Sequence, residues 1–368
     1  MLRTLLAVFL LLSGGLAHAR QLHVGLVIPQ QGPFAAFGAQ AREAFTAWEL
    51  ANPGIFADTV EGDDDCTAAS GADAAAAMSE AGVDIIVGFV CTESLAAALP
   101  VLSAEGIPVM TLSVRADIIS EEAARLGWSF FRLAPRAGEE AEVASDAIFT
   151  LWADKPFAII EDGTIEGREL AEAVRTTLEG RGLKPSFVDN YRPGQERQPS
   201  LVRRLKAAGV SRVFVGGERS DLAIIARDAK EQGVGLRFMG GDALYAARGD
   251  NPLPEGTLAI VASQYLVGAS AEEARASLAS LGLIAEGLRV PAYAAADILG
   301  AAASRMRFDD TSITQFLLDR RFATAIGPVS FNEQGERREP GFTLAEWRDG
   351  AFHRISPRQA AESDNRSQ

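Results

Sequence analysis

The chain has 368 residues, of which 48% are hydrophobic and 23% charged, and its formal net charge is −14. That length holds two domains of ordinary size with full cores. So acidic a surface argues against nucleic acid or an anionic membrane as a partner.

At the start, Arg3 precedes an apolar stretch from Leu5 to Leu12, then a Ser-Gly-Gly break and Ala17-His18-Ala19. This is the pattern of a secretory signal peptide over residues 1–19, with the mature chain beginning at Arg20. The apolar run is well short of the ~20 residues that a membrane span needs. No cysteine stands at the cleavage site to carry a lipid, and no later stretch is long and apolar enough to cross a bilayer.

From His23 onward, apolar runs of strand length alternate with helical patterns, as in βαβ units around a parallel sheet. Val24 to Ile28 reads as a buried strand ended by Pro29, and the helix after it sets Ala41, Ala44, Phe45 and Trp48 on one face. A weak strand near Thr59, an alanine-rich helix from Thr67 to Glu80, the strand Val83 to Gly88 and a helix from Glu93 to Ser103 follow. Strands at Pro108 to Leu112 and Ser129 to Leu133 complete a first series. A second series comprises a helix Glu139 to Trp152, a strand Phe157 to Glu161, a helix Gly167 to Glu179, a strand Phe187 to Tyr191 and a helix Pro199 to Ala208. It closes with a strand Val213 to Gly216, a helix Asp221 to Gln232 and a strand Arg237 to Gly240. Two such series predict two lobes. Pro291 opens a long alanine-rich helix, where its missing N–H does no harm. A helix Ser312 to Phe322, strands Pro328 to Phe331 and Phe342 to Trp347, and a polar tail 357–368 expected to be flexible finish the chain.

Four of these strands end alike, in turns that carry small polar or charged residues into a helix. The tips hold Cys91, Thr92 and Glu93; Ser113 and Arg115; Glu218 and Arg219; and Asp242. In a parallel α/β sheet such tips gather at the carboxyl edge, where side chains and free N–H groups meet a ligand. Glu161 and Asp162 stand on another tip. Enzymatic signatures are scarce: there is no Gly-rich loop ending in Gly-Lys, no Gly-x-Ser-x-Gly elbow and no His-Glu-x-x-His pair. The mature chain has only His23 and His353 as imidazole bases. An exported hydrolase is therefore the remote alternative. Gly233-Val234-Gly235 follows a helix and precedes a strand, the reverse of a dinucleotide fingerprint, and reads as a helix end. Asp63, Asp64 and Asp65 suit a solvated strand end better than a metal site. Cys66 and Cys91, the only cysteines, form an even pair in an exported chain; a disulfide is the simplest reading and two buried free thiols the alternative.

The turn Gln30-Gln31-Gly32-Pro33-Phe34 with Gly38 opening the next helix, Cys66 after three aspartates, and Gly88-Phe89-Val90-Cys91-Thr92 together resemble the type I periplasmic binding proteins. Within them the chain looks most like the branched-chain amino-acid (Leu/Ile/Val) receptors of ABC transporters. The resemblance covers nearly the whole mature chain. It implies an α/β fold of two Rossmann-like lobes with parallel-sheet cores, joined by three hinge crossovers near Leu133, Ala262 and Gly327. The first lobe would be 20–133 with 263–327, the second 134–262 with 328–356, and a Cys66–Cys91 disulfide would lie in the first. It also implies a small-molecule ligand between the lobes, an importer's membrane subunits as partner, a periplasmic monomer, and no cofactor, metal or catalysis. On matching positions Ser113 would touch an amine, Asp242 would hold an α-ammonium, and Phe37 would cover the ligand; Thr92, where a strand tip becomes a helix start, would receive a carboxylate, cap that helix, or do both. Arg115 and Glu218 depart from the pattern: a guanidinium replaces a small hydroxyl and a carboxylate replaces an aromatic. They would either grip a polar solute, such as a polar amino acid, an amide or a urea-like compound, or latch the lobes together. A periplasmic sensor of the same fold is the nearer alternative to a transport protein.

Overall fold

Alternating apolar and amphipathic segments fold as two doubly wound sheets. The computed structural model describes residues 21–245, 251–263, 268–306 and 312–366. The proposed signal peptide and Arg20 lie outside them. No described helix is long and apolar enough to cross a membrane.

The first series forms β1 (Leu22–Ile28), α1 (Ala35–Ala51), β2 (Phe56–Asp63), α2 (Ala68–Glu80), β3 (Ile85–Gly88), α3 (Thr92–Ala104), β4 (Val109–Thr111), α4 (Asp117–Leu126) and β5 (Phe130–Arg132). Its five strands run parallel in the order β2-β1-β3-β4-β5. Because both faces are covered, β1 and β3 read as continuous apolar runs. One face packs on α2, α3 and α4 through Ala75, Met78, Leu95, Leu99 and Ile119. The other packs on Phe45 and Trp48 of α1 and on a later alanine-rich helix, α10 (Arg289–Met306). There α10 approaches closely through Gly300, where a Cβ would meet the Trp48 ring at 2.2 Å.

The second series forms α5 (Glu139–Trp152), β6 (Phe157–Glu161), α6 (Ile165–Gly180), β7 (Phe187–Asn190), α7 (Pro199–Ala207), β8 (Arg212–Gly216), α8 (Arg219–Glu231), β9 (Arg237–Gly240), a 3-10 turn Asp242–Tyr245 and β10 (Leu258–Ala262). The chain then returns to the first core as α9 (Ala269–Ser280), α10, α11 (Ile313–Leu318) and a hairpin of β11 (Arg321–Thr324) and β12 (Gly327–Ser330). It ends in β13 (Phe342–Arg348), β14 (Ala351–Arg354) and α12 (Pro357–Arg366). The second sheet has the order β14-β13-β10-β9-β8-β6-β7, parallel except that β13 runs antiparallel to both its neighbours, β10 and β14.

Leu133 belongs to the first core and Ala141 to the second, Ala262 to the second and Ala274 to the first, Phe331 to the first and Phe342 to the second. The chain thus passes three times between the cores. Its last departure comes after Phe331 rather than near Gly327, because Val329 and Phe331 are fully buried in the first core and Phe331 packs edge-on against Phe131, with ring centroids 5.1 Å apart. The helix expected over Ser312 to Phe322 stops at Leu318, since Phe322 is needed in a strand beside Val329. The tail is not a free coil over its described length: α12 buries Ala360 against the second core beside Ile355.

Cys66 and Cys91 are joined, their Cα atoms 5.3 Å apart. The bond ties the β2–α2 loop to the residue that caps α3, and a loop of this length stabilises by about 3 kcal/mol in the chain-entropy model. The three aspartates organise the same loop. Asp63 accepts from the Gln30 N–H at 2.9 Å, Asp65 accepts from the Thr67 N–H and hydroxyl, and the buried Asp64 accepts from the Cys66 N–H and the Ser70 and Ser94 hydroxyls.

Candidate functional site

Helices follow strands on both sheets, so the strand tips of each sheet lie at its carboxyl edge. On the first sheet the β3 tip needs Gly88, which sits at φ +131° with the Val27 carbonyl 1.9 Å from where a Cβ would be. Beyond it Cys91 caps α3, and Thr92 is the exposed first residue of that helix. Thr92 is therefore not the cap, and its hydroxyl takes no partner among the described residues. Ser113 donates to the Val90 carbonyl at 3.2 Å, locking the β3 and β4 tips together. Phe37 is 46% exposed on α1 and stacks on Phe34, itself 40% exposed, at 6.5 Å. Neither ring is core.

Arg115 lies where the two units meet. Its carbonyl accepts from the Ala137 N–H at 3.0 Å, and its Nε donates to the Pro135 carbonyl at 3.3 Å. Its guanidinium lies 5.2 Å from the Phe342 ring centroid at the start of β13. On the second unit, Asp242 follows β9 and accepts from the Ala262 N–H at 2.7 Å, while its own N–H donates to Glu140 at 2.7 Å. Gly241 makes room for this, since a Cβ there would stand 2.3 Å from the Glu140 Oε1. Burial holds the Asp242 carboxyl above its ordinary range, opposed first by the Ala262 N–H and then by the Arg115 charge. Burial likewise raises Glu140; the Asp242 N–H opposes the rise, the Asp242 charge adds to it, and Arg115 opposes it. A cation carried by the first sheet's β4 tip thus acts on two acids of the second unit.

Glu218 stands apart from this group. It caps α8 through its backbone without a side-chain cap, and burial raises its pKa, with the negative charges of Asp162, Asp221 and Glu166 adding to the rise. Among the described contacts Arg115 and Glu218 do not pair, so the latch expected as one alternative is not formed in this conformation. Asp162 is 3% exposed and accepts from the Thr164 N–H at 2.9 Å; Glu161 accepts from the Gly163 N–H.

Three residues near these strand tips escape sequence reasoning. Glu140 sits in the first turn of α5, where acids are expected for the helix dipole alone. Tyr191 reads as the end of a strand, and Asp221 as a first-turn acid of α8. A buried role for any of them depends on which loops the fold stacks together.

Residues 21–351 match the model of a family described as periplasmic binding protein. The chain is 30% identical over 341 residues to "Leu/Ile/Val-binding protein homolog 3" of Brucella melitensis, covering 89% of this chain and 91% of that one. A solved chain from Rhodospirillum rubrum, assigned to branched-chain amino acid ABC transport, is similar with a TM-score of 0.74 and 21% identity, over 91% of this chain and all of that one. A solute-binding protein from R. palustris in complex with benzoate is similar with a TM-score of 0.59 and 16% identity, over 92% of this chain and 96% of that one. One parallel and one mixed sheet, with the chain passing three times between their cores, agree with these likenesses: the chain belongs to the periplasmic binding protein family, beside its Leu/Ile/Val-binding members.

Proposed function

We propose that this chain is the solute-binding protein of an ABC importer, taking a small polar solute (an amino acid, amide, urea-like compound or short carboxylate) between its lobes and presenting the closed form to the importer's membrane subunits. The observation that carries this reading is the place of Arg115: from the first sheet's β4 tip its guanidinium lies 5.2 Å from the Phe342 ring centroid of the other unit, and its charge lowers the pKa of Asp242 and Glu140 there against the rise from burial. Opposite charges brought from two hinged bodies to one cleft make solute contacts that exist only when the cleft is shut, and a ligand favours closure by its differential affinity for that state. In this reading Arg115 and the free N–H groups beside Thr92 hold a carboxylate. Asp242 accepts an amine, Ser113 and Phe37 border the ligand, and no covalent step occurs. The names of the relatives offer both kinds of occupant, branched-chain amino acids and benzoate.

The test is a thermal-shift screen of amino acids, amides, ureas and short carboxylates with the mature protein. A solute at a hundred times its Kd adds about 2.7 kcal/mol. Asp242→Asn keeps an acceptor for the Ala262 N–H yet removes the charge, and it is expected to abolish the shift given by amine-bearing solutes. An undiminished shift would remove Asp242 from the site. Capture of the membrane subunits by the solute-loaded protein separates transport from a sensing role.

A further inference from the structure

Between the two cores the last connection narrows to a single residue. Glu339 accepts from the Ser330 N–H at 2.7 Å, the Ser330 hydroxyl at 3.0 Å and the Arg321 Nε at 3.2 Å, so the β11–β12 hairpin holds it to the first core. Gly341 is held to the second: its N–H donates to Glu139 of α5 at 2.6 Å, and its carbonyl accepts from the N–H of Ser263, just past β10, at 2.8 Å. Only Pro340 stands between, and its ring fixes φ. A change of angle in this connection therefore falls on the few torsions around Pro340, whose carbonyl accepts from the Ser263 hydroxyl at 2.8 Å. The first connection passes the same point. Arg115 of the first unit holds it twice, its Nε donating to the Pro135 carbonyl and its own carbonyl accepting from the Ala137 N–H. Pro135 touches Gly341 so closely that a Cβ on the glycine would lie 2.5 Å from the Pro135 Cβ, 2.6 Å from its Cγ and 3.0 Å from its Cα. A proline ring cannot swing aside as the end of a long side chain can, so a larger residue at 341 forces the two connections apart. Glu139 spans the contact: one carboxylate oxygen takes the Gly341 N–H and the other the Arg136 N–H, at 3.1 Å.

We propose that the Pro135–Gly341 contact is the bearing on which the two bodies turn, that the last connection bends at Pro340, and that Glu139 is the clasp that keeps the bearing closed. The three passages of chain then act as one joint, because the first through Pro135, the second through Ser263 and the third all meet at Gly341. Separate connections could each bend in many ways; pinned together, they restrict the motion to a turn about one place. The use of the joint rests on the solute-driven closure proposed above, whereas the joint itself is a property of the protein without solute. Glu139 is in this sense a positioning residue, acting through Gly341 and Arg136 and not through contact with a solute.

Pulsed electron resonance between spin labels on Glu105→Cys, at the end of α3, and Lys230→Cys, on α8, reads the distance between the bodies; both sites are exposed, and the two native cysteines are joined and take no label. Measured without solute, Glu139→Ala should broaden the distance distribution about twofold, because it frees both sides of the contact. Gly341→Ala should move the mean by several ångström, since room for its Cβ is made by parting the bodies. Adding Pro135→Gly, which removes the ring, should return the mean toward that of the wild type, a rescue that general loss of structure would not give. Ser263→Ala removes one hydroxyl bond and keeps the backbone one, so it should broaden the distribution less than Glu139→Ala; it and the double variant carry the test if either larger change prevents folding. Distributions equal to the wild type in every folded variant would overturn the proposal. If the variants behave as stated and no screened solute shifts the wild-type mean, the joint stands and solute-driven closure falls. A solute-driven shift untouched by Glu139→Ala and Gly341→Ala overturns the joint and leaves the solute-binding reading standing.

Discussion

Asp297 shows how one side chain ties stability to pH. It sits on α10, where its two oxygens accept from the Trp48 indole N–H and the Ala325 N–H, each at 2.9 Å. Burial pushes its pKa from 3.8 to about 7, against the pull of those two donors. Well below pH 3.8 the acid is neutral folded or unfolded, and this site's contribution to stability is present in full. As the pH rises towards 7 the unfolded chain ionises freely while the folded one does not, and stability is lost over that window by up to ~4 kcal/mol. Asp297→Asn should remove this loss. The amide has one acceptor for two donors, so the variant is expected to be less stable at pH 4. The readout is therefore the change in urea midpoint between pH 4 and pH 8, which should be smaller in the variant; identical changes would show that Asp297 does not carry the linkage. None of this is visible in Pro291 to Ala303 as a sequence, where one aspartate among alanines reads as a solvent-facing position.

At the scale of elements, close backbone approach sets the geometry of the tips. Gly71 of α2 faces α3, and a Cβ there would lie 2.2 Å from the Ser94 carbonyl oxygen and 2.6 Å from its Cα. In an open helix Gly→Ala is stabilising by roughly 1 kcal/mol. Here the contact is backbone, which cannot rotate away, so Gly71→Ala should instead destabilise by about 2 kcal/mol, read as a lower denaturant midpoint. A stabilised variant would mean that α2 and α3 separate at little cost. The same reasoning explains where element prediction fails. β10 and α9 are not predicted from the sequence; α9 buries only Ala271, Ala274 and Leu278, and small residues give weak periodicity. The amphipathic α4, by contrast, carries a local signal in its own sequence, with Gly127 at its left-handed end.

For the whole molecule, two cores are joined by three passages of chain, and the proposed function requires them to move relative to one another. Arg132 in the first core is paired with Glu336 in the last of these, its Nε donating at 2.9 Å, and the Arg132 N–H donates to the Gly335 carbonyl. Gly341, where the chain enters the second core, donates to Glu139 at 2.6 Å. These anchors fix the ends of the connection, and the proposed closure would place bending in the residues between them. Small-angle scattering with a solute found in the screen should show a smaller radius of gyration than without it. An unchanged radius with saturating solute would mean that binding does not draw the lobes together.

Sequence alone determined the two βα series, the strand tips that carry Thr92, Arg115, Glu218 and Asp242, and the pairing partners available to two cysteines, because strand period, helix period and turn chemistry are local. It did not determine that Arg115 answers Asp242 and Glu140 rather than Glu218, that Tyr191 is buried beside four acids, or that the chain leaves the first core only after Phe331. Those depend on strand order: β9 lies next to β10 at the crossover and β7 at the far edge, so residues remote in sequence are set side by side by hydrogen-bonded neighbours that no local pattern encodes.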